Sequence, residues 1–267
     1  MLISFDKPLV MGIINLTPDS FYDGGKFHNL ENVINHVAKI IEEGADIIDI
    51  GAVSTRPGSN EVTLKEEETR LIPVLKKISS EFPKAIISVD TYRSQIAKIA
   101  VNNGAHIIND ISAGNYDKKM FSVISELQVP YIIMHIKGTP LNMQNNPVYK
   151  NVTKEVIEYL SKKVEILRKL GINDIIIDPG FGFGKTVENN YELLKNLEYF
   201  LIFDLPIMVG LSRKSMINKV LEITPENALN GTTVLNTYSL MKGVNILRVH
   251  DVKEAVEVVK LLNFTKN

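Results

Sequence analysis

Asn15, Arg56, Asp90, Asn109, His135, Asp178, Lys214, Arg248 and His250 stand at or just past the ends of separate apolar runs in this 267-residue chain. They sort by chemistry into two groups. Asp90, Asn109 and Asp178 offer hydrogen-bond acceptors and an amide. In a pocket kept from water, a carboxylate takes two parallel hydrogen bonds from an N–C–NH2 edge, which suits a pterin or a guanine-like heterocycle. Lys214, Arg248 and His250, with Asn15, offer cationic and donor groups that suit a phosphate and would equally suit a carboxylate. A polar residue ending one strand is most often a turn or cap residue. Turn chemistry has no reason to choose Arg and Lys, or to recur strand after strand.

Other motifs carry less. Gly180-Phe-Gly-Phe-Gly-Lys185-Thr186 has the look of a phosphate-binding loop, but that motif needs glycine five places before Gly184, where proline stands at position 179. It also fails the dinucleotide pattern, because Lys185 takes the last glycine position. These glycines either bring backbone close to a flat ligand or form a tight turn. The five histidines show no zinc spacing. His28, His36 and His106 read as surface or packing residues, and His135 reads equally as a site residue or a structural hydrogen-bonding one. The absence of cysteine excludes disulfides and thiolate chemistry and fits a reducing compartment. A net charge of -1 with dispersed lysines argues against bulk nucleic-acid binding. Neither a basic leader nor an apolar run of membrane-spanning length is present, so no membrane partner and a cytoplasmic location are expected.

The elements needed to position these residues are legible in order. Val10 to Ile14 is apolar without alternation, as in a strand covered on both faces. It feeds a loop, and Leu30, Val33, Ile34, Val37, Ile40 and Ile41 then recur at helical spacing up to Gly44, a C-terminal cap. Ala45 to Ala52 is the second strand, and Thr63 with Glu66 forms a capping box for a helix running to about Ser80. Strands follow at Ala85–Thr91, His106–Ser112, Tyr131–Ile136, Asp174–Asp178, Pro206–Gly210 and Asn245–Val249. Helices are expected from Arg93 to Gly104, Asp117 to Leu127, Asn151 to Leu170 and Asn189 to Phe203. Gly44, Gly104, Gly171 and Gly243 each precede an apolar strand at intervals of about 60 to 70 residues, a weak internal repeat.

About eight strand–helix units in a chain near the usual length of roughly 250 residues predict a single-domain (β/α)8 TIM barrel over residues 1–267, with its site at the C-terminal ends of the strands. A doubly wound open sheet is the alternative, disfavoured because polar groups follow nearly every strand. In a barrel, strands seven and eight commonly build a phosphate site, and here they supply Lys214, Arg248 and His250.

At these residues the chain resembles the dihydropteroate synthase family of pterin-binding enzymes. The marks are MGIINLTPDSFYDGG (11–25), STRPG (54–58), SVDT (88–91), IND (108–110), MH (134–135), DPGFGFGK (178–185), SRKS (212–215) and RVHD (248–251), spread over nearly the whole chain. The resemblance implies a transferase of folate biosynthesis that condenses 6-hydroxymethyl-7,8-dihydropterin pyrophosphate with 4-aminobenzoate in an SN1-like step. It implies Asp90, Asn109, Asp178 and Lys214 around the pterin, with Met134 nearby and Arg248 stacked on the ring. Diphosphate falls to Asn15, Arg248 and His250, with Mg2+ at Asn15. Aminobenzoate falls to Phe21, Thr55, Arg56, Pro57, Phe183, Lys214 and Ser215, with Asp23 organising that site. Sulfonamide inhibition and a homodimer are implied as well.

The chain departs from the family at Ala52-Val53, where many members carry Gly-Glu, so that glutamate's role is absent or filled elsewhere. There are two rival functions: a pterin-binding methyltransferase domain, which shares the barrel and an Asp/Asn pterin pocket, and a catalytically silent pteridine-binding paralogue. The combination of STRPG, SRKS, Arg248 and His250 weighs against the first, and intact Asn15, Asp23, Arg56 and Lys214 against the second.

Overall fold

The computed structural model describes residues 3–16, 26–54 and 62–265. Eight parallel strands form one sheet: β1 Leu9–Asn15, β2 Ile47–Gly51, β3 Ile86–Asp90, β4 Ile107–Asp110, β5 Tyr131–Met134, β6 Ile175–Asp178, β7 Met208–Val209 and β8 Ile246–Val249. Their order, β6-β5-β4-β3-β2-β1-β8-β7, brings β7 round to β6, where a parallel bridge between Ile177 and Ile207 closes the barrel. The expected (β/α)8 architecture is therefore the observed one.

Strand seven is the shortest, two residues where five were expected. Pro206 has no N–H to give to a ladder, and the Ile207 N–H is taken by the Asn245 side-chain oxygen at 2.9 Å. Strand five likewise stops at Met134, although the His135 N–H still donates to the Asp178 carbonyl at 3.1 Å.

The helices α1 Lys26–Glu42, α2 Leu64–Glu81, α3 Ser94–Val101, α4 Met120–Leu127, α5 Val152–Lys169, α6 Val187–Lys195, α7 Ser215–Leu221, α8 Leu229–Met241 and α9 Val252–Phe264 ring the sheet. Thr63 and Glu66 do form the capping box of α2. The helix expected from Asn189 to Phe203 is two pieces. A second capping box, Thr186 with Asn189, starts α6 earlier, and the chain tightens after Asn196 into a 3₁₀ helix over Leu197–Phe203. An asparagine in place of the usual Glu or Gln at the third position hid that cap. Gly44, Gly104, Gly171 and Gly243 all adopt positive φ, so the glycine repeat marks real left-handed helix ends before strands two, four, six and eight.

Alternation along the strands divides the core. Outward residues such as Ile48, Ile50, Ile87, Val89, Ile108, Ile133, Ile177 and Leu247 pack under the helices. Inward residues at the N-terminal end, Leu9, Met11, Ile47, Ile107, Ile132, Ile176, Met208 and Ile246, fill the barrel floor. Above that floor the inward positions turn polar. This change of chemistry along one face is what makes a site.

Candidate active site

Continuing the inward parity from Ile47, Ile86, Ile107, Ile176 and Ile246 gives Asp49, Ser88 with Asp90, Asn109, Asp178 and Arg248. The register sets Asp90 beside Asn109 and Met134 beside Asp178. Arg248 links the layer. Its Nε donates to Asp49 Oδ2 at 2.6 Å and its Nη2 to Asp90 Oδ2 at 2.8 Å, while Asn109 Nδ2 donates to the same Asp49 oxygen at 3.2 Å. Asp49 is fully buried, and it was missed as a site residue because it lies inside the apolar run Ile47-Ile48-Asp49-Ile50. Its signal was present: a carboxylate in a strand covered on both faces must find a donor.

The neighbouring Asp110 faces outward and serves the frame. It accepts from Tyr131 Oη at 2.6 Å and from the backbone of Ser112 and Gly114, pinning the turn after β4. Of these two adjacent residues ending β4, only Asn109 faces the polar layer.

After β6 the chain turns sharply. Asp178 Oδ1 accepts from Gly180 N at 2.7 Å, and Gly180 has φ +75°. A Cβ there would lie 2.0 Å from the His135 carbonyl oxygen, so the tight-turn reading of these glycines holds. Lys185 is the staple of this turn. Its buried Nζ donates to Gly180 O at 2.7 Å and to Phe183 O at 3.2 Å, and it lies 3.0 Å from His135 Nδ1. His135 packs edge-on against Tyr159 at 4.9 Å. It is the structural residue, and Lys185, set aside in the sequence as a failed motif, is its partner.

Lys214 caps α7 and donates to the Phe181 carbonyl, with its ammonium 4.8 Å from the centre of the Phe183 ring. Phe183 leans on Ile111, Met134, Ile136 and Met143, an apolar wall above the polar layer. Ser215 and His250 are exposed at the rim, and the His250 amide donates to Ser212 Oγ at 3.2 Å. The loops after β7 and β8 are further joined by Arg213, whose Nε and Nη2 fork onto Asp251 at 3.0 and 2.7 Å. Asn15 ends β1, half-buried, in register with Gly51. Phe21, Asp23, Thr55, Arg56 and Pro57 lie outside the described residues. The buried Glu67 of α2 accepts from Thr91 at 2.7 Å and from Arg93, which also reaches the Val62 carbonyl. Ala52 of the departing Ala52-Val53 pair is buried in the outer shell.

Burial dominates the electrostatics. It pushes the Asp90 carboxyl up to about 7, with Arg248 pulling it back and Asp49 and Asp110 pushing further. Asp178 is raised by burial against the pull of Lys214 and its Gly180 hydrogen bond. Burial lowers Lys214 to about 8 and Lys185 to about 7, with Asp178 opposing in both. His135 is lowered to about 2 by burial and then by Lys185, so its ring is neutral at any working pH. Acceptors and cations thus meet in the mouth, with Arg248 paired to Asp49 and Asp90 and Lys214 acting on Asp178.

Comparison with known proteins converges on one family. A family model described as pterin binding enzyme matches residues 11–250. The dihydropteroate synthase of Escherichia coli (strain K12) is 41% identical over 265 residues, covering 98% of this chain and 93% of the relative. Among solved structures, the Yersinia pestis dihydropteroate synthase in a sulfonamide drug complex aligns with a TM-score of 0.93 at 37% identity, over 100% of this chain and 97% of that one. The Xanthomonas albilineans dihydropteroate synthase with 4-aminobenzoic acid aligns at 0.92 and 35%, over 99% and 95%.

Proposed function

This chain belongs to the dihydropteroate synthase family of pterin-binding enzymes, and from that membership we infer that it joins 6-hydroxymethyl-7,8-dihydropterin pyrophosphate to 4-aminobenzoate, giving 7,8-dihydropteroate and diphosphate. The observation that carries the reading is the inward polar layer, where Asp90, Asn109 and Asp178 meet Arg248 and Lys214 in one barrel mouth.

The arylamine nucleophile is already neutral near pH 7, so the burden falls on activating the electrophile. We propose that diphosphate departs before the amine attacks. Arg248, Lys214 and His250 stabilise the charge growing on the leaving group, while the acceptor side holds the heterocycle and tolerates the cationic methylene. Lys214, reaching from the Phe181 carbonyl across the Phe183 ring, borders both halves of the site and positions one substrate against the other.

Among the described residues no group of three or more His, Asp or Glu is arranged to hold a metal. A single carboxamide, Asn15, fits a Mg2+ carried on diphosphate oxygens and keeping several waters, the usual habit of that ion, better than a resident centre. When bound it would neutralise the departing diphosphate.

We further propose a cytoplasmic homodimer; no helix among the described residues is long and apolar enough to cross a membrane. The dimer reading is supported by an exposed apolar face. Leu201 and Ile202 of the 3₁₀ helix, Val234, Tyr238 and Met241 of α8, and Val220 with Leu221 of α7 are all exposed. Contact between these elements is direct: Lys242 pairs with Glu198, and Gly231 sits against Ile217 and Leu221.

The reaction is tested by mixing the protein with the dihydropterin pyrophosphate, 4-aminobenzoate and Mg2+. Dihydropteroate is expected, with sulfonamides competing against aminobenzoate. Folded protein that forms no product would sink the reading.

A further inference from the structure

Asp49 is fully buried, and its Oδ2 accepts from both Arg248 Nε and Asn109 Nδ2. We propose that Asp49 is a positioning residue that sets the heterocycle preference of the site by fixing which way the Asn109 carboxamide points. The inference rests on the pterin reading above and adds to it the origin of selectivity.

A carboxamide is nearly symmetric in shape but not in chemistry: one end accepts, the other donates twice. A carboxylate only accepts, so Asp49 can be faced by the amide nitrogen alone. With one N–H spent on Asp49, Asn109 leaves its oxygen and its second N–H for the occupant of the pocket, in a fixed order. That order matches an N1 acceptor next to a 2-amino donor, as in a 2-amino-4-oxopteridine. It mismatches a 2,4-dioxopteridine, which presents N1–H and a 2-oxo acceptor on the same edge. Turning the amide over would reverse the preference, and turning it over here would aim a carbonyl at a buried carboxylate.

The same oxygen also receives the guanidinium, so Arg248 and Asn109 are registered to one point in the barrel. Asp49 has no freedom to follow them, because it is fully buried in β2 between Ile48 and Ile50. Its other oxygen, Oδ1, has no hydrogen-bond partner among the described residues. All of its described bonding is therefore spent on these two groups.

The test compares affinity for a 2-amino-4-oxopteridine with affinity for the matching 2,4-dioxopteridine, by calorimetric titration of wild type, Asp49→Ala, Asp49→Val and Asp49→Asn, each checked for folding by thermal melting. Wild type should prefer the 2-amino compound. Asp49→Ala and Asp49→Val free the amide to turn, and the ratio of affinities should fall about tenfold, the scale of one hydrogen bond gained or mispaired. Asp49→Asn must face Arg248 with its own oxygen, which still accepts from Asn109, so it should keep the ratio. Equal weakening of both ligands in a folded Ala or Val variant would mean a merely structural role and would overturn the inference. Should neither fold, wild type co-crystallised with the 2-amino compound decides it: any edge other than N1 and the 2-amine at Asn109 refutes the proposal. Wild type that binds no pteridine would refute the pterin reading instead.

Discussion

Asp90 carries the sharpest pH dependence at the residue scale, because burial raises its carboxyl to about 7 from an ordinary value of 3.8. A raised carboxyl contributes stability that is fully present below the unfolded value and is lost as pH rises through about 7. Ligand binding runs the other way. Protonation removes an acceptor from the heterocycle side and releases Arg248, so affinity for a neutral pterin should fall by up to about tenfold per pH unit below about 7. Titrations across that range in wild type and Asp90→Asn check it, and a flat wild-type profile would refute it. Asp90, Asn109, Asp178, Lys214 and Arg248 were legible in the sequence because each interrupts or follows an apolar run. Asp49 and Lys185 were less so: the sequence signals that Asp49 needs a donor, but which donors it meets, and what backbone surrounds Lys185, appear only once strands are laid side by side.

At the scale of elements, the loop after β6 is held by one ammonium. Lys185 satisfies the Gly180 and Phe183 carbonyls and faces His135, which ties the ends of β5 and β6 together beneath Asp178. Lys185→Met keeps the length of the side chain and removes its donors, leaving buried carbonyls unpaired. A loss of about 2 to 4 kcal/mol is expected, measured by urea unfolding, with weaker pterin affinity as Asp178 loosens; unchanged stability would show that the staple is ornamental. Strand and helix order was readable from glycine punctuation and hydrophobic period. Lengths were less so. The start of α6 depended on an uncommon capping pair, and the brevity of β7 on Pro206 and on the Asn245 side chain taking the Ile207 N–H, neither of which has a periodic signature.

For the whole molecule, the barrel followed from counting units, whereas the assembly surface did not. Ile202 and Met241 are 79% and 73% exposed, and no helical stripe in the sequence set them apart from core positions. If the face they share joins two copies, Ile202→Asp with Met241→Asp should convert a dimer into a species near the chain mass of 29.9 kDa by light scattering. A wild-type protein already at that mass would remove the dimer proposal. Seven of the barrel's eight joints are ladders of paired strands, and the eighth is the single bridge between Ile177 and Ile207. Asp178 follows one side of that joint and Lys214 the other. The cylinder therefore has a seam, and a change in its girth meets least resistance between the group that grips the heterocycle and the group that borders both substrates.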